Sequence, residues 1–168
     1  MMLSKIFLVV LPLLMVSAPP FLKAGFAFDA SPVVAQPDLF GRQVVELSNR
    51  ERQAKGLGAL KFQSTLREAA QWLADDMAKK SYFSHTDSLR RDFATRLRDF
   101  GYKNATVMAE NIGLGAPDPA NAVANWMKSP SHRANILNPE LTEIGVGSAY
   151  NGTGPEGHYW VQDFGRRP

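Results

Sequence analysis

The sequence predicts an α+β fold, helices first and an antiparallel hairpin last, and three observations carry that expectation. Apolar residues recur at helical spacing in several stretches between residue 38 and the middle of the chain. In the last third the period falls to two: Ile144, Val146, Ser148 and Tyr150 alternate with Gly145, Gly147 and Ala149, and Tyr159, Val161 and Asp163 alternate with Trp160, Gln162 and Phe164. Both faces of these strands carry apolar residues, so the sheet should be covered by helices on both sides.

A length of 168 residues suits one domain with its own core. Its expected limits follow from the N-terminus. Lys5 precedes an apolar run from Ile6 to Ala18 that is short and interrupted by Pro12, so it reads as a secretory signal over residues 1–27. Cleavage is expected after Ala27, or as late as Ala35, leaving no transmembrane span; an uncleaved anchor is the alternative. Residues 28–37, rich in Pro, Ala and Val, read as a linker, and residues 38–166 as the domain. Export implies a secreted or periplasmic protein. Removing residues 1–35 takes away two lysines and one aspartate, so the net charge falls from +3 to +2. Acidic residues are scattered among the basic ones and no basic stripe is interleaved with aromatics, which argues against a nucleic-acid partner. Cysteine is absent, which excludes a disulfide framework, a thiolate metal site and a cysteine nucleophile.

In chain order, Asp38 offers a cap for a first helix whose stripe is Leu39, Phe40, Val44, Leu47 and Ala54, ending at Gly56. Thr65 and Glu68 have capping-box spacing at the start of a second helix with Leu66, Ala69, Ala70, Leu73 and Met77 inward. The pattern breaks at Ser81, which puts His85 in a loop. Thr86, Asp87 or Ser88 then caps a third helix through Phe93, Leu97 and Phe100 to Gly101. Its arginines, Arg90, Arg91, Arg96 and Arg98, are interleaved with Asp92 and Asp99 and read as a solvated face. Residues 106–112 read as a strand closed by Gly113-Leu114-Gly115, and Asp118-Pro119 as the cap and first position of a fourth helix carrying Val123, Trp126 and Met127. Pro130 breaks that helix after Ser129, and His132 falls in the first turn of the restarted segment. Asn151-Gly152-Thr153-Gly154 turns the final hairpin.

The His-Glu-x-x-His, Gly-x-Ser-x-Gly, phosphate-loop and dinucleotide signatures are all missing. What remains is His85, Glu110 and His132 on three segments. Two imidazoles and a carboxylate can hold a divalent ion, zinc above all, with a position open to water. The competing readings are packed histidines and a Glu110 ion pair that ties a strand to a loop. Ser84 and Ser131 each precede a histidine, but capping explains both without a nucleophile. Trp126 reads as core and His158 as an ordinary strand residue.

Ser84-His85, Ala109-Glu110-Asn111-Ile112, the stretch from Trp126 to Leu137, Ile144-Gly145-Val146-Gly147 and the closing run from Tyr159 to Gly165 together resemble the bacterial branch of the CAP superfamily. That superfamily comprises the cysteine-rich secretory proteins, antigen 5 and pathogenesis-related 1 proteins, and the resemblance spans residues 37–165. It implies a three-layer α-β-α sandwich with a small central antiparallel sheet, export, and a cleft lined by two histidines, matched by His85 and His132, and by acids, one matched by Glu110. Eukaryotic members carry a second cleft acid shortly after the tryptophan matched by Trp126; here Met127, Lys128 and Ser129 stand there. The expected function is a binding module with a metal-responsive cleft for a small apolar or envelope-derived ligand. A metal-assisted hydrolase and a structural envelope or adhesion domain are the alternatives, and oligomeric state is left open.

Overall fold

The structure is a computed structural model and describes residues 36–152 and 157–168. The signal segment, most of the linker and the hairpin residues Thr153 and Gly154 lie outside the described residues. Among those described, no helix is long and apolar enough to cross a membrane.

Among the described residues, five helices and four strands follow in the order α1 (Gln36–Gln53), β1 (Lys61–Phe62), α2 (Ser64–Lys80), α3 (Phe93–Asp99), β2 (Val107–Leu114), α4 (Pro119–Lys128), α5 (Pro130–Ile136), β3 (Glu143–Tyr150) and β4 (His158–Arg166). The strands form one sheet in the order β1-β3-β4-β2, antiparallel except for the short β1–β3 pair. The α-β-α sandwich is thus the observed fold. On one face, Val44 of α1 and Val123 and Trp126 of α4 pack on Ile144, Val146, Trp160 and Phe164. On the other, Ala70, Leu73, Ala74 and Met77 of α2 pack on Ile112, Tyr159 and Val161. Leu66 and Ala69 extend that face to Leu97 and Tyr102.

The glycine alternation in β3 has a steric cause. A Cβ on Gly145 would lie 2.0 Å from the Arg67 backbone nitrogen, and one on Gly147 2.3 Å from that of Gln71. Two missing side chains therefore let the backbone of α2 rest directly on the strand. Beside them Gln71 completes the sheet edge, donating to Ser148 O at 2.9 Å and accepting from Ser148 N–H at 3.2 Å.

Several local expectations shift. The first helix begins at Gln36, so residues 37 and 38 lie within its opening turn and Asp38 is not the residue before it. Gln63, not Thr65, caps α2, because its side chain reaches Thr65 N–H at 3.0 Å while the Thr65 hydroxyl is buried with no partner among the described residues. Asp92, not a residue of 86–88, caps α3. Asp87 instead organises the preceding loop, accepting from the Leu89 and Arg91 N–H groups and from Arg91 Nε. The strand β1 was not expected; two residues give too short a pattern to read. Asp118 and Pro119 open α4 as expected, with Asp118 accepting from Asn121 N–H at 2.8 Å. Arg52 is buried and donates to the carbonyls of Gly58, Ile136, Asn138 and Leu141, which fastens the end of α5 to α1.

Candidate functional site

The centre of the site is the pair of neighbours Glu110 and Asn111 on β2. A strand sends successive side chains to opposite faces, so these two polar groups serve the two layers separately. Each has a polar partner directly across on β4, Glu110 opposite Asp163 and Asn111 opposite Gln162.

On the α2 side, Glu110 is buried and its two oxygens are both engaged. One meets His85 Nδ1 at 2.7 Å, and the other accepts from Arg96 Nη2. Arg96, expected in the solvated face of α3, is fully buried; it also donates to His85 O at 3.2 Å and stands 4.0 Å from Asp87. The expectation fails because Arg96 lies on the same helical stripe as Phe93, Leu97 and Phe100, at spacings that put it toward the core. Its neighbour Arg91 does face outward, stacked 4.7 Å over the Trp72 ring and paired with Asp87 and Asp99. Asp163 is completely buried, and neither of its oxygens, nor Arg96 Nε, has a hydrogen-bond partner among the described residues. Burial first, and then the adjacent Glu110 charge, push the Asp163 carboxyl well above the usual carboxylate range.

On the α1 side the groups are uncharged and paired. Asn111 donates to Gln162 Oε1 and to His132 O, both at 3.1 Å, and accepts from Asn135 Nδ2 at 2.8 Å; Gln162 in turn donates to Ser48 Oγ. These bonds hold α5, and His132 with it, against the strand. Burial, and then the charge of His85, lower the pKa of His132 and favour its neutral form.

A cleft of about 660 Å³ opens where the two layers meet at the outer edge of β2, and both His85 and His132 line it. Phe83 and Ser84 stand beside His85 on one wall, Trp126 and Ser129 beside His132 on the other, and Ile112, Gly113 and Leu114 form the floor. The His85 side chain is half exposed, with Nδ1 turned to Glu110, whereas Trp126 is buried and donates from Nε1 to Ile112 O at 3.0 Å. Ser84 is committed to the loop, accepting from Thr86 N–H at 3.0 Å. Of the three residues picked out by sequence, His85 and His132 line the same cleft from opposite walls, and Glu110 is bonded to His85 Nδ1. No group of three His, Asp or Glu side chains converges as a metal cage among the described residues. Sequence reasoning missed Arg96, Asp163 and the Asn111–Gln162 pair. Helical spacing was a signal for Arg96, and for Asp163 the alternation that sets it on one face with Tyr159 and Val161.

Residues 45–164 match the family model described as CAP, the cysteine-rich secretory protein family. The protein YkwD of Bacillus subtilis is 38% identical over 125 residues, which cover 74% of this chain and 46% of YkwD. The membrane protein YlbC of the same organism is 30% identical over 126 residues, covering 75% of this chain and 34% of YlbC. The chain therefore spans less than half the length of these curated relatives. Among solved structures, an extracellular SCP-domain protein from Bacillus anthracis superposes with a TM-score of 0.70 at 27% identity, over 78% of this chain and 41% of that one. An outer surface protein from Borrelia burgdorferi superposes with a TM-score of 0.67 at 20% identity, over 76% of this chain and 92% of that one, and shares the fold.

Proposed function

The chain belongs to the cysteine-rich secretory protein (CAP) family, and on that ground we propose that it is an exported binding module. Its cleft takes a small apolar ligand, with the polar end of the ligand at His85 and His132. The observation that carries this reading is the cleft itself: apolar side chains line most of it, an imidazole stands on each wall, and its serines are engaged in turns rather than beside a base.

The same pair makes the cleft responsive to a divalent ion. Glu110 on Nδ1 sets the His85 tautomer that leaves Nε2 as the ligating atom, and His132 is biased to the neutral form that ligation requires. Of the two roles open to Glu110, ligand or orienting group, the engagement of both its oxygens supports orientation. This tautomer and this neutral bias support zinc held by two imidazoles, which would supply a Lewis-acidic centre for a polar ligand group. Calorimetry with zinc should show a site of about one-to-one stoichiometry that His85→Ala and His132→Ala each remove while thermal melting reports an intact fold. Binding should weaken as pH falls through the histidine range, since protonation removes the lone pair.

A hydrolase built on the same metal is the second reading, favoured by that oriented imidazole. Peptide, ester or glycan hydrolysis at enzyme-like rates, abolished by chelation and by His85→Ala, would replace the binding reading with it.

A further inference from the structure

The floor of the cleft is a strand edge, and its backbone is not fully used. Ladder bonds between β2 and β4 run through the odd-numbered residues of β2: Gly115 N–H donates to His158 O, and pairs two residues apart repeat that geometry. The even-numbered residues Glu110, Ile112 and Leu114 therefore turn their N–H and C=O groups to the outer edge. Toward the interior that edge is closed by side chains, because Asn135 Nδ2 donates to Glu110 O and Trp126 Nε1 to Ile112 O. Toward the cleft it is open. The N–H of Ile112 and both backbone groups of Leu114 have no partner among the described residues, and Leu114 is 43% exposed. An edge flanked by two walls, one bearing Phe83 and His85 and the other Trp126 and His132, has the form of a slot for one more strand.

We propose that the ligand of this cleft is an extended peptide that adds to the β2 edge, one of its residues exchanging two backbone hydrogen bonds with Leu114 and an adjacent apolar side chain filling the pocket beside Trp126. The inference rests on the binding-module reading and names its ligand class. Two features favour a peptide over a plain hydrocarbon. A hydrocarbon would cover the Leu114 N–H and C=O without replacing their bonds to water, whereas a peptide satisfies both. The floor also spans three residues, about 10 Å at the rise of a strand, which matches a short extended segment. Side chains on such a strand alternate, so one points to the apolar wall and its neighbours toward the histidines and solvent.

The test uses end-blocked pentapeptides with a central leucine or phenylalanine flanked by threonines, titrated into the full chain and read by amide NMR shifts. A strand pairing has a period-two signature. N-methylation of the peptide residue that faces Leu114 should weaken binding about tenfold, N-methylation of either neighbour should leave it nearly unchanged, and the Leu114 amide should gain protection from hydrogen exchange. Equal sensitivity at all positions, or none, overturns the inference. An amide-free probe, 1-anilinonaphthalene-8-sulfonate, separates this failure from that of the parent reading. If the probe shifts His85 and Leu114 resonances while the peptides do not, the cleft binds ligands but not as a strand. If neither moves those resonances, the binding-module reading falls as well.

Discussion

Two buried aspartates flank the loop that carries His85, and they titrate in opposite directions. Asp76 on α2 and Asp163 on β4 are almost equally hidden, 7% and 0% exposed. Burial alone raises the pKa of both, by disfavouring the charged form. At Asp76 it is outweighed by hydrogen bonds from Lys80, from the Tyr82 hydroxyl and from the Ser88 N–H and hydroxyl, which hold its carboxyl below the usual carboxylate range. At Asp163 burial is the largest effect, since no donor among the described residues reaches either oxygen, and Glu110 adds a like charge, so the pKa rises. The number of donors, not the depth, decides the sign. The satisfied acid moors the loop through Tyr82 and Ser88; the unsatisfied one lies across the strand pair from Glu110, the partner of His85. Orphaned buried groups under the cleft, and fully paired ones beside it, are the pattern expected where stability has been yielded to function.

The contrast breaks most sharply at Arg96. It is the cation shared by Glu110 and the carbonyl of His85, so Arg96→Met should leave a buried carboxylate uncompensated and cost about 3–5 kcal/mol in urea denaturation. A loss below about 1 kcal/mol would mean that the Arg96–Glu110 pair carries little of the layer. Next comes Asp76→Asn, which exchanges charged for neutral hydrogen bonds and should cost about 1.5–3 kcal/mol, with faster hydrogen exchange confined to the loop after Ser81. The smallest effect belongs to Asp163→Asn, where one neutral side chain replaces another. Below about pH 4, where the carboxyl is protonated in the folded and the unfolded chain alike, it should change stability by less than about 1 kcal/mol.

The pH dependence sharpens the same comparison. The folded pKa of Asp76 lies below its unfolded value, so its contribution is present above about pH 4 and is lost as pH falls further. The folded pKa of Asp163 lies above its unfolded value, so its contribution is complete below about pH 4 and is lost as pH rises through the folded value. Relative to the parent chain, Asp163→Asn should gain stability as pH rises above about 4 and through the folded value, and Asp76→Asn should recover stability toward acid. Parallel curves for the two variants would remove the distinction.

Much of the layer plan was legible in the sequence because it is written in period. The helical stripe of α2 and the alternation of β3 and β4 put Leu73, Val146 and Phe164 into the core as read. His85 and His132 were legible as polar residues at breaks between elements, where no packing role accounts for them. What escaped was pairing across the chain. Whether Gln63 or Thr65 caps a helix depends on side-chain reach. That Arg96 finds Glu110, or that Glu110 and Asp163 face each other, depends on strand register, which no single segment encodes.

The glycine stripe of β3 makes the two sides of the cleft different in kind, one resting on backbone contact and the other on side chains. Where Gly145 and Gly147 let α2 touch the strand, backbone rests on backbone, and the contact has no side chain whose rotation could let it slide. The loop of His85 hangs from that plate, tied to α2 through Asp76 and to β2 through Glu110. The opposite wall meets β2 through the side chains of Trp126 and Asn135 and bends at the Ser129–Pro130 junction between two short helices. The two histidines are thus referred to one strand by different means: His85 through a single carboxylate, His132 through the amide bonds that Asn111 and Asn135 make around its helix.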